Sequence, residues 1–494
     1  MSKKAIVKIL DEVNCVIIGI DDKDHKYFKT KYSPLAEGYF FSKKYKLGVW
    51  DGTISFYSKA GKTYVQLLDE IVPELMKRGY KIELIDNRES FTLNVPEIDK
   101  DYFSDNNIEL GKHQVDAVNS IIRNNGGIIV AATGAGKSWC VAALADSYYK
   151  AYGFKVIIIV PSADLIEQGV EDFLGLGLDV GQYSGDTKDL DHPIIISTWQ
   201  SLQNNPTLVG MYHVAIVDEC HGTKGNVLKD ILNNYGSHLY VRIGVTGTLP
   251  KAPVDAMSVK VTLGTPQYII TAKELIDMGW LAKIKIIILE LEENKKAEYA
   301  AWKVKFPDEA EQYTYKQFLQ KLYPDYDSEK RYLNTSTKRI EFIQDAVKIN
   351  RLKDKGNTLI LVNGVDVGKK IAEEIEGSHF LYGMDKKAFR KEIYNLFKDH
   401  DDIVVIATSQ LASTGLNIPR IFHLYLVDIG KSYIRVIQSI GRGLRKAHDK
   451  DFINVVDISS NLKYSKEHQN KRILHYKEAG YPFSKNKIAY TKGS

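Results

Sequence analysis

The sequence predicts an α/β chain: two parallel-sheet lobes in tandem, a small α/β domain before them and a helical segment after them. Three observations predict it. Short apolar runs alternate with helical patterns over residues 106–280 and again over 336–458, the rhythm of strands joined by crossover helices. Those runs are almost unbroken by polar residues, as expected of strands buried on both faces. At 494 residues the chain is long enough for about three domains.

Composition narrows the class. Hydrophobic residues make up 44% and charged residues 26%, the balance of an ordinary globular protein. The formal net charge of +5 is mild and compatible with a polyanionic partner. Cys15, Cys140 and Cys220 are scattered with no CxxC pair, which argues against a zinc site or a disulfide framework and fits a reducing cytoplasm. No apolar stretch approaches the roughly 18 residues of a membrane span, and the N-terminus lacks the apolar core of a signal peptide.

Taken in order, residues 1–95 read as the small domain. Strands are expected at 5–9, 16–20, 53–56 and 64–67, and a helix at 72–78 ends at Gly79, a C-cap signal. Residues 38–52 interleave Lys43, Lys44 and Lys46 with Tyr39, Phe40, Phe41, Tyr45 and Trp50. Such a mixture can grip phosphates and stack on bases, or it can be an aromatic core beneath a solvated lysine face. Residues 87–105 read as a polar linker. Lobe one, 106–280, should carry strands at 128–131, 156–160, 194–197, 214–217 and 241–245. Residues 281–335 lose the alternation and read as a helical linker or insertion. Lobe two, 336–458, should carry strands at 358–362, 403–407, 424–427 and 454–458. From 459 the chain reads as helical and basic, either a solvated tail or a nucleic-acid contact.

Chemistry concentrates at the ends of these strands. After the run Gly127-Ile128-Ile129-Val130 comes Ala131-Ala132-Thr133-Gly134-Ala135-Gly136-Lys137-Ser138, followed by a helical pattern. Strand, glycine-rich turn and helix make a phosphate-binding loop. Thr133, Gly134, Ala135 and Gly136 would turn backbone N–H groups onto phosphate oxygens, aided by the helix N-terminus. Lys137 would reach the β- and γ-phosphates and Ser138 would ligate Mg²⁺. The strand 214–217 ends in Asp218-Glu219-Cys220-His221. Asp218 would hold Mg²⁺ and Glu219 would polarise the attacking water. Thr246-Gly247-Thr248 follows another strand and should lie beside Glu219. Far downstream, Gln438-Ser439-Ile440-Gly441-Arg442-Gly443-Leu444-Arg445 sets two arginines three apart, on one face of a helix. The planar fork of Arg suits a γ-phosphate.

In this order the motifs resemble those of the superfamily 2 helicases and translocases. The resemblance spans about 106–458. It implies that Gln114 reads adenine, that Pro161 and Ser162 touch one DNA strand, and that Thr198, Trp199, Gln200 and Ser201 form the next such contact. Thr408 and Thr414 would touch nucleic acid, Gly415 the nucleotide, and Gln438, Arg442 and Arg445 would complete the catalytic set. Residues 48–52 and 79–81, and the series His468…Arg472…Tyr476…Gly480-Tyr481, look like those of phage fork-remodelling helicases. The resemblance implies two RecA-like lobes, ATP and Mg²⁺ as cofactors, and a monomer acting on forked or branched DNA in phage replication, recombination or repair. It also favours DNA binding by Lys43, Lys44, Lys46 and Trp50. On the same motifs, an RNA helicase, a pure duplex translocase and an ATP-switched DNA-binding protein remain as alternatives.

Overall fold

The computed structural model describes residues 3–88, 93–185, 187–224, 226–310, 313–414, 420–430, 440–441, 443–444 and 449–490. Among these, side chains are described except at 223, 224, 226, 309, 310, 387 and 412–414. The chain divides into two compact units, one of Met1–Ala132 and Gly136–Ile270 and one of Thr133–Ala135 and Thr271–Ser494. The expected α/β architecture with parallel sheets is present in both. No helix among the described residues is long and apolar enough to cross a membrane.

The first unit holds two sheets. The N-terminal one has the order β3-β2-β1-β4, from β1 (Lys3–Ile9), β2 (Asn14–Ile18), β3 (Lys62–Tyr64) and β4 (Tyr80–Asp86). Its core of Val7, Ile17, Phe28, Tyr32, Phe56 and Leu75 also takes in Val261. Val261 lies on the helix Pro253–Leu263 of lobe one, where Lys260 pairs with Glu70 at 2.6 Å. The small domain is therefore built onto lobe one through a shared core. The structure changes three sequence expectations in this region. Of the strand expected at 64–67 only Tyr64 is kept, in β3, and Val65–Leu67 form a turn of 3-10 helix. Residues 53–56 form no strand, because Thr53 makes only an isolated bridge to Leu35. In the supposed polar linker, Val95, Ile98 and Phe103 are buried, and the Asn119 amide bonds both the N–H and the carbonyl of Ile98 at 2.8 Å.

Lobe one is an eight-stranded sheet of order β12-β5-β11-β10-β6-β9-β7-β8. Its strands are β5 (Gly127–Ala131), β6 (Val156–Val160), β7 (Val180–Tyr183), β8 (Lys188–Asp189), β9 (Ile194–Thr198), β10 (Val214–Asp218), β11 (Val241–Thr246) and β12 (Pro266–Ile270). Every neighbouring pair is parallel except β7 with β8. The central runs Val156–Val160 and Ile194–Thr198 are buried at every position, as strands covered by helices on both faces must be.

The second unit is a seven-stranded parallel sheet of order β15-β16-β14-β17-β18-β13-β19. It contains β13 (Lys283–Leu291), β14 (Thr358–Val362), β15 (Ser378–Leu381), β16 (Val404–Thr408), β17 (His423–Val427), β18 (Phe452–Ser460) and β19 (Phe483–Ile488). Two expectations are corrected in this unit. The stretch read as a helical linker opens with β13, a nine-residue strand between β18 and β19; helices come after it up to Thr335. The basic C-terminal segment is a helix, Lys463–Glu478, and then the edge strand β19. Part of its charge is structural. The buried Arg472 guanidinium donates to both Asp457 carboxylate oxygens at 2.7 and 2.9 Å, and Tyr476 donates to the same carboxylate at 2.7 Å. Lys485 pairs with the buried Glu290 of β13 at 2.5 Å. Deleting one partner of the buried Arg472–Asp457 pair would leave an uncompensated charge, which costs about 3–5 kcal/mol; Arg472 belongs to the core, while Lys485 reaches its buried partner from an exposed edge strand.

Candidate nucleotide site and nucleic-acid edge

Parallel strands end on one side, so the register of lobe one decides what meets there. Thr246 of β11 pairs with Val130 of β5, Asp218 of β10 with Val245, and Thr198 of β9 with Val160 of β6. Five motifs thus leave the sheet from one edge. In sheet order they are the loop after Ala131, Thr246-Gly247-Thr248, Asp218-Glu219, Pro161-Ser162 and the turn at Thr198. This carboxyl edge is where open α/β sheets bind ligands.

The loop after β5 is built as a phosphate cradle. Gly134 and Gly136 have φ of +90° and +80°, the left-handed region that glycine enters without a Cβ clash. Gly136 caps the helix Lys137–Tyr152, so free N–H groups of its first turn open onto the loop. The Lys137 ammonium lies 3.4 Å from the Ala131 carbonyl, curled over the loop's entry. Gln114 closes the other side. Its Oε1 accepts the Gly111 N–H at 2.7 Å and its Nε2 donates to the Gly136 carbonyl at 3.3 Å. The buried amide thus braces the loop from its own helix cap. A Cβ at Gly136 would stand 2.1 Å from Gln114 Nε2. Gly136→Ala should therefore weaken ATP binding by about tenfold, from left-handed strain of roughly 1–3 kcal/mol. Titration with a fluorescent ATP analogue measures this; unchanged affinity would remove the loop from the nucleotide site.

Beside the cradle stands a carboxylate pair. Asp218 Oδ1 accepts the Glu219 N–H at 2.9 Å. Glu219 has φ +47°, uncommon outside glycine and of the kind held at functional sites. Its Oε2 lies 3.3 Å from both His221 Nδ1 and Thr246 Oγ1, and those two are 3.0 Å apart. Burial and the adjacent Glu219 charge push Asp218 up to about 6, against the pull of Lys137. Burial also pushes Glu219 up, but the His221 hydrogen bond and the Lys137 charge outweigh it and hold Glu219 down to about 2. Glu219 is thus kept as a carboxylate with its lone pairs aimed by neighbours. Gly244 of β11 permits this turn, since a Cβ there would sit 2.9 Å from the Cys220 sulfur.

These residues fit a nucleotide with a hard divalent cation. The cradle offers N–H groups and one ammonium to phosphates. Ser138 and Asp218 offer two oxygen ligands. Among the described residues no group of three or more His, Cys, Asp or Glu is arranged around a metal position. An ion here would complete its shell with phosphate oxygens and water, which is how Mg²⁺ is usually held.

Residues 107–251 match the family model described as type III restriction enzyme, res subunit, and residues 338–447 match the helicase conserved C-terminal domain. The two matches fall one on each parallel-sheet lobe. The chain belongs to the superfamily 2 helicases. Like other members it is an ATP-dependent helicase enzyme. It is similar to the ATP-dependent DNA helicase uvsW of Enterobacteria phage T4, with 26% identity over 89% of this chain and 88% of that protein. The fold is shared with the type ISP restriction-modification enzyme LlaBIII bound to DNA (TM-score 0.56, 13% identity, 85% of this chain and 36% of that one). It is shared also with S. cerevisiae Dbp5 bound to RNA and ADP BeF3 (TM-score 0.54, 14% identity, 79% of this chain and 93% of that one).

The structure distributes the other residues expected of a superfamily 2 helicase between the surface and the interior. Pro161 is exposed beyond β6, and the Ser162 hydroxyl is buried with no hydrogen-bond partner among the described residues. Thr198 and Ser201 are buried and bonded to each other: Thr198 Oγ1 accepts the Ser201 N–H at 3.2 Å and lies 3.0 Å from its hydroxyl. The Thr198 hydroxyl caps a helix, Trp199 packs against the lobe-one core, and Gln200 is the exposed member of the set. Thr408 ends β16, half-buried, and Thr414 ends the next helix. Lys43, Lys44 and Lys46 are exposed, whereas Trp50 turns inward and donates its indole N–H to the Thr53 carbonyl at 2.7 Å. Gly415, Gln438, Arg442 and Arg445 lie outside the described residues. No motif assigned His221 a role, although its place two residues after Glu219 in a turn was the available signal. In lobe two, Asp428 at the end of β17 repeats the left-handed acid with φ +46°, held by Arg339 at 2.6 Å and Ser465 at 3.1 Å.

Proposed function

We propose that this helicase is a DNA motor that remodels branched DNA by fork regression and junction branch migration. Lys137 and the loop 133–136 bind the triphosphate of ATP. Ser138 and Asp218 would hold Mg²⁺, which would supply neutralisation of phosphate charge there. Glu219, aimed by His221 and Thr246, orients the attacking water. Arg442 and Arg445, with Gln438, stabilise charge on the departing γ-phosphate. Hydrolysis then changes the purchase of Pro161, Ser162, Gln200, Thr408 and Thr414 on one DNA strand, and the protein advances.

One observation carries the reading. The turns at Ser162 and Thr198 leave the same sheet edge as Asp218-Glu219, one and two strands away. A change at the γ-phosphate therefore reaches the strand contacts through a rigid sheet. The likeness to a T4 DNA helicase over most of both chains supports DNA as the track. Contacts from Lys, Ser, Thr and backbone groups to phosphates carry no base information, so recognition should follow DNA structure. The host cytoplasm is the fitting compartment.

The test is ATP turnover with equal nucleotide concentrations of a model fork, a four-way junction, linear duplex and RNA at one fixed salt concentration. The fork and junction should stimulate turnover several-fold more than linear duplex, and RNA least. Equal stimulation by linear duplex would favour a pure translocase, and stronger stimulation by RNA an RNA helicase.

A further inference from the structure

The N-terminal domain carries a projecting loop with an unusual surface. Its base is closed by the Leu35–Thr53 bridge and by hydrogen bonds from Ala36 N–H to the Gly52 carbonyl (2.8 Å) and from Ile54 N–H to the Pro34 carbonyl (3.0 Å). Its interior is braced. Tyr39 stands edge-on to Phe40 and Tyr45 at 5.6 and 4.8 Å, and a Cβ at Gly52 would come within 2.7 Å of the Tyr39 ring. The Trp50 indole is tied to Thr53. A loop closed at its neck and packed by its own rings keeps its shape.

The tip of this rigid loop is apolar and open. Phe41 is 74% exposed, Leu47 and Val49 each 76%, and Phe40 51%. Large side chains this exposed, grouped within ten residues, mark an interaction surface. The short helix Lys43–Lys46 between them presents Lys43, Lys44 and Lys46 to solvent. The loop holds two acids: Glu37 is exposed at its start, and Asp51 is turned to the Thr53 N–H and hydroxyl at 2.9 and 2.7 Å. The occupant must therefore offer apolar faces and dense negative charge within a few ångströms. Nucleic acid does so at a place where bases are unstacked, since there a ring face and a phosphate lie side by side.

We propose that this loop is a strand-separating wedge: Phe40, Phe41, Leu47 and Val49 stack against the bases at a DNA branch point while Lys43, Lys44 and Lys46 hold the flanking phosphates. The inference rests on the branched-DNA reading above and adds the element that opens the duplex. The motor pulls DNA toward the loop, and the apolar tip replaces base–base stacking as each pair parts. The lysines set affinity; the apolar tip sets the outcome.

The test uses the full chain and a fork with 2-aminopurine at the branch point. Two variants are compared with the wild type: Phe40→Ser/Phe41→Ser/Leu47→Ser/Val49→Ser, and Lys43→Gln/Lys44→Gln/Lys46→Gln. The first replaces only exposed side chains, and a thermal melt coinciding with wild type checks its fold. It should lose the 2-aminopurine fluorescence rise on binding and slow fork regression by at least about tenfold. Its ATPase on linear duplex should stay within about twofold of wild type. The lysine variant should bind the fork more weakly, with a shallower dependence on salt. Normal regression and a normal fluorescence rise in the apolar variant would overturn the wedge and leave the tip to a protein partner. Loss of linear-duplex ATPase in that variant would also overturn it, assigning the loop to general DNA binding. A wild type that leaves forks unchanged refutes the underlying reading instead, so the two failures are distinct.

Discussion

Lys137→Ala should reduce DNA-stimulated ATP turnover at least about a thousandfold while DNA binding stays within a few-fold of wild type. The lysine sits at the mouth of the cradle, at the first position of the helix Lys137–Tyr152. It is the one side-chain cation in the loop, so its loss would remove the charge proposed to meet the β- and γ-phosphates. The same charge pulls down both Asp218 and Glu219. Without it the Asp218 carboxyl, already raised by burial and by Glu219, would rise further and would hold Mg²⁺ less well near neutral pH. The sign is fixed: a carboxyl whose proton is held more tightly competes worse for a cation. Removing a single preorganised donor to a transition state costs about 10²–10³ in rate, and here a cation-site effect is added. Steady-state ATPase and fluorescence anisotropy with a forked DNA, at one salt concentration, separate the two properties. Retained turnover would show that another loop binds the triphosphate.

Arg445→Ala should leave ATP affinity within a few-fold and suppress hydrolysis by about 10³–10⁵, the range for an arginine acting on a transferring phosphoryl group. The sequence spacing of three predicts that Arg442 and Arg445 share one face of a helix, where both could serve the same phosphate. Lysine should not substitute for either, because a point charge cannot reproduce a planar bidentate fork. Single-turnover hydrolysis of pre-bound ATP gives the chemical step directly. If ATP affinity collapses while turnover per bound ATP stays normal, the residue binds ground-state nucleotide and has no finger role.

Much of the fold was legible because buried parallel strands announce themselves. Runs such as Ile157-Ile158-Ile159-Val160 and Leu359-Ile360-Leu361-Val362 have no polar position to confuse the period. Among the strands that escaped, one carries polar residues that find partners far along the chain. β13 reads Lys-Ile-Lys-Ile-Ile-Ile-Leu-Glu-Leu, and its Glu290 makes sense inside a sheet only once Lys485 of β19 is beside it. β12 opens with a proline and lies at the sheet edge, where a missing N–H is tolerated. In the site, spacing sufficed for the phosphate cradle and the carboxylate pair, because both are continuous stretches of chain. It did not show that the Thr198 and Ser201 hydroxyls bond each other while Thr198 caps the helix, or that Trp50 is consumed by the Thr53 carbonyl. Whether a side chain faces out or is used locally depends on turns that one sequence leaves open. His221 was hidden for the opposite reason, since its partner Thr246 comes from the neighbouring strand.

The central claim is that triphosphate cleavage at Lys137, Asp218 and Glu219 drives DNA strand exchange. The most direct measurement tracks the strand products of a four-way junction with one labelled arm, in the presence of wild type or Lys137→Ala, with and without ATP. Conversion to two duplexes by wild type with ATP alone, and an intact, still-bound junction with the variant, is the predicted result. Full-rate ATP hydrolysis with the junction unchanged, or strand exchange that proceeds equally without ATP, would contradict it.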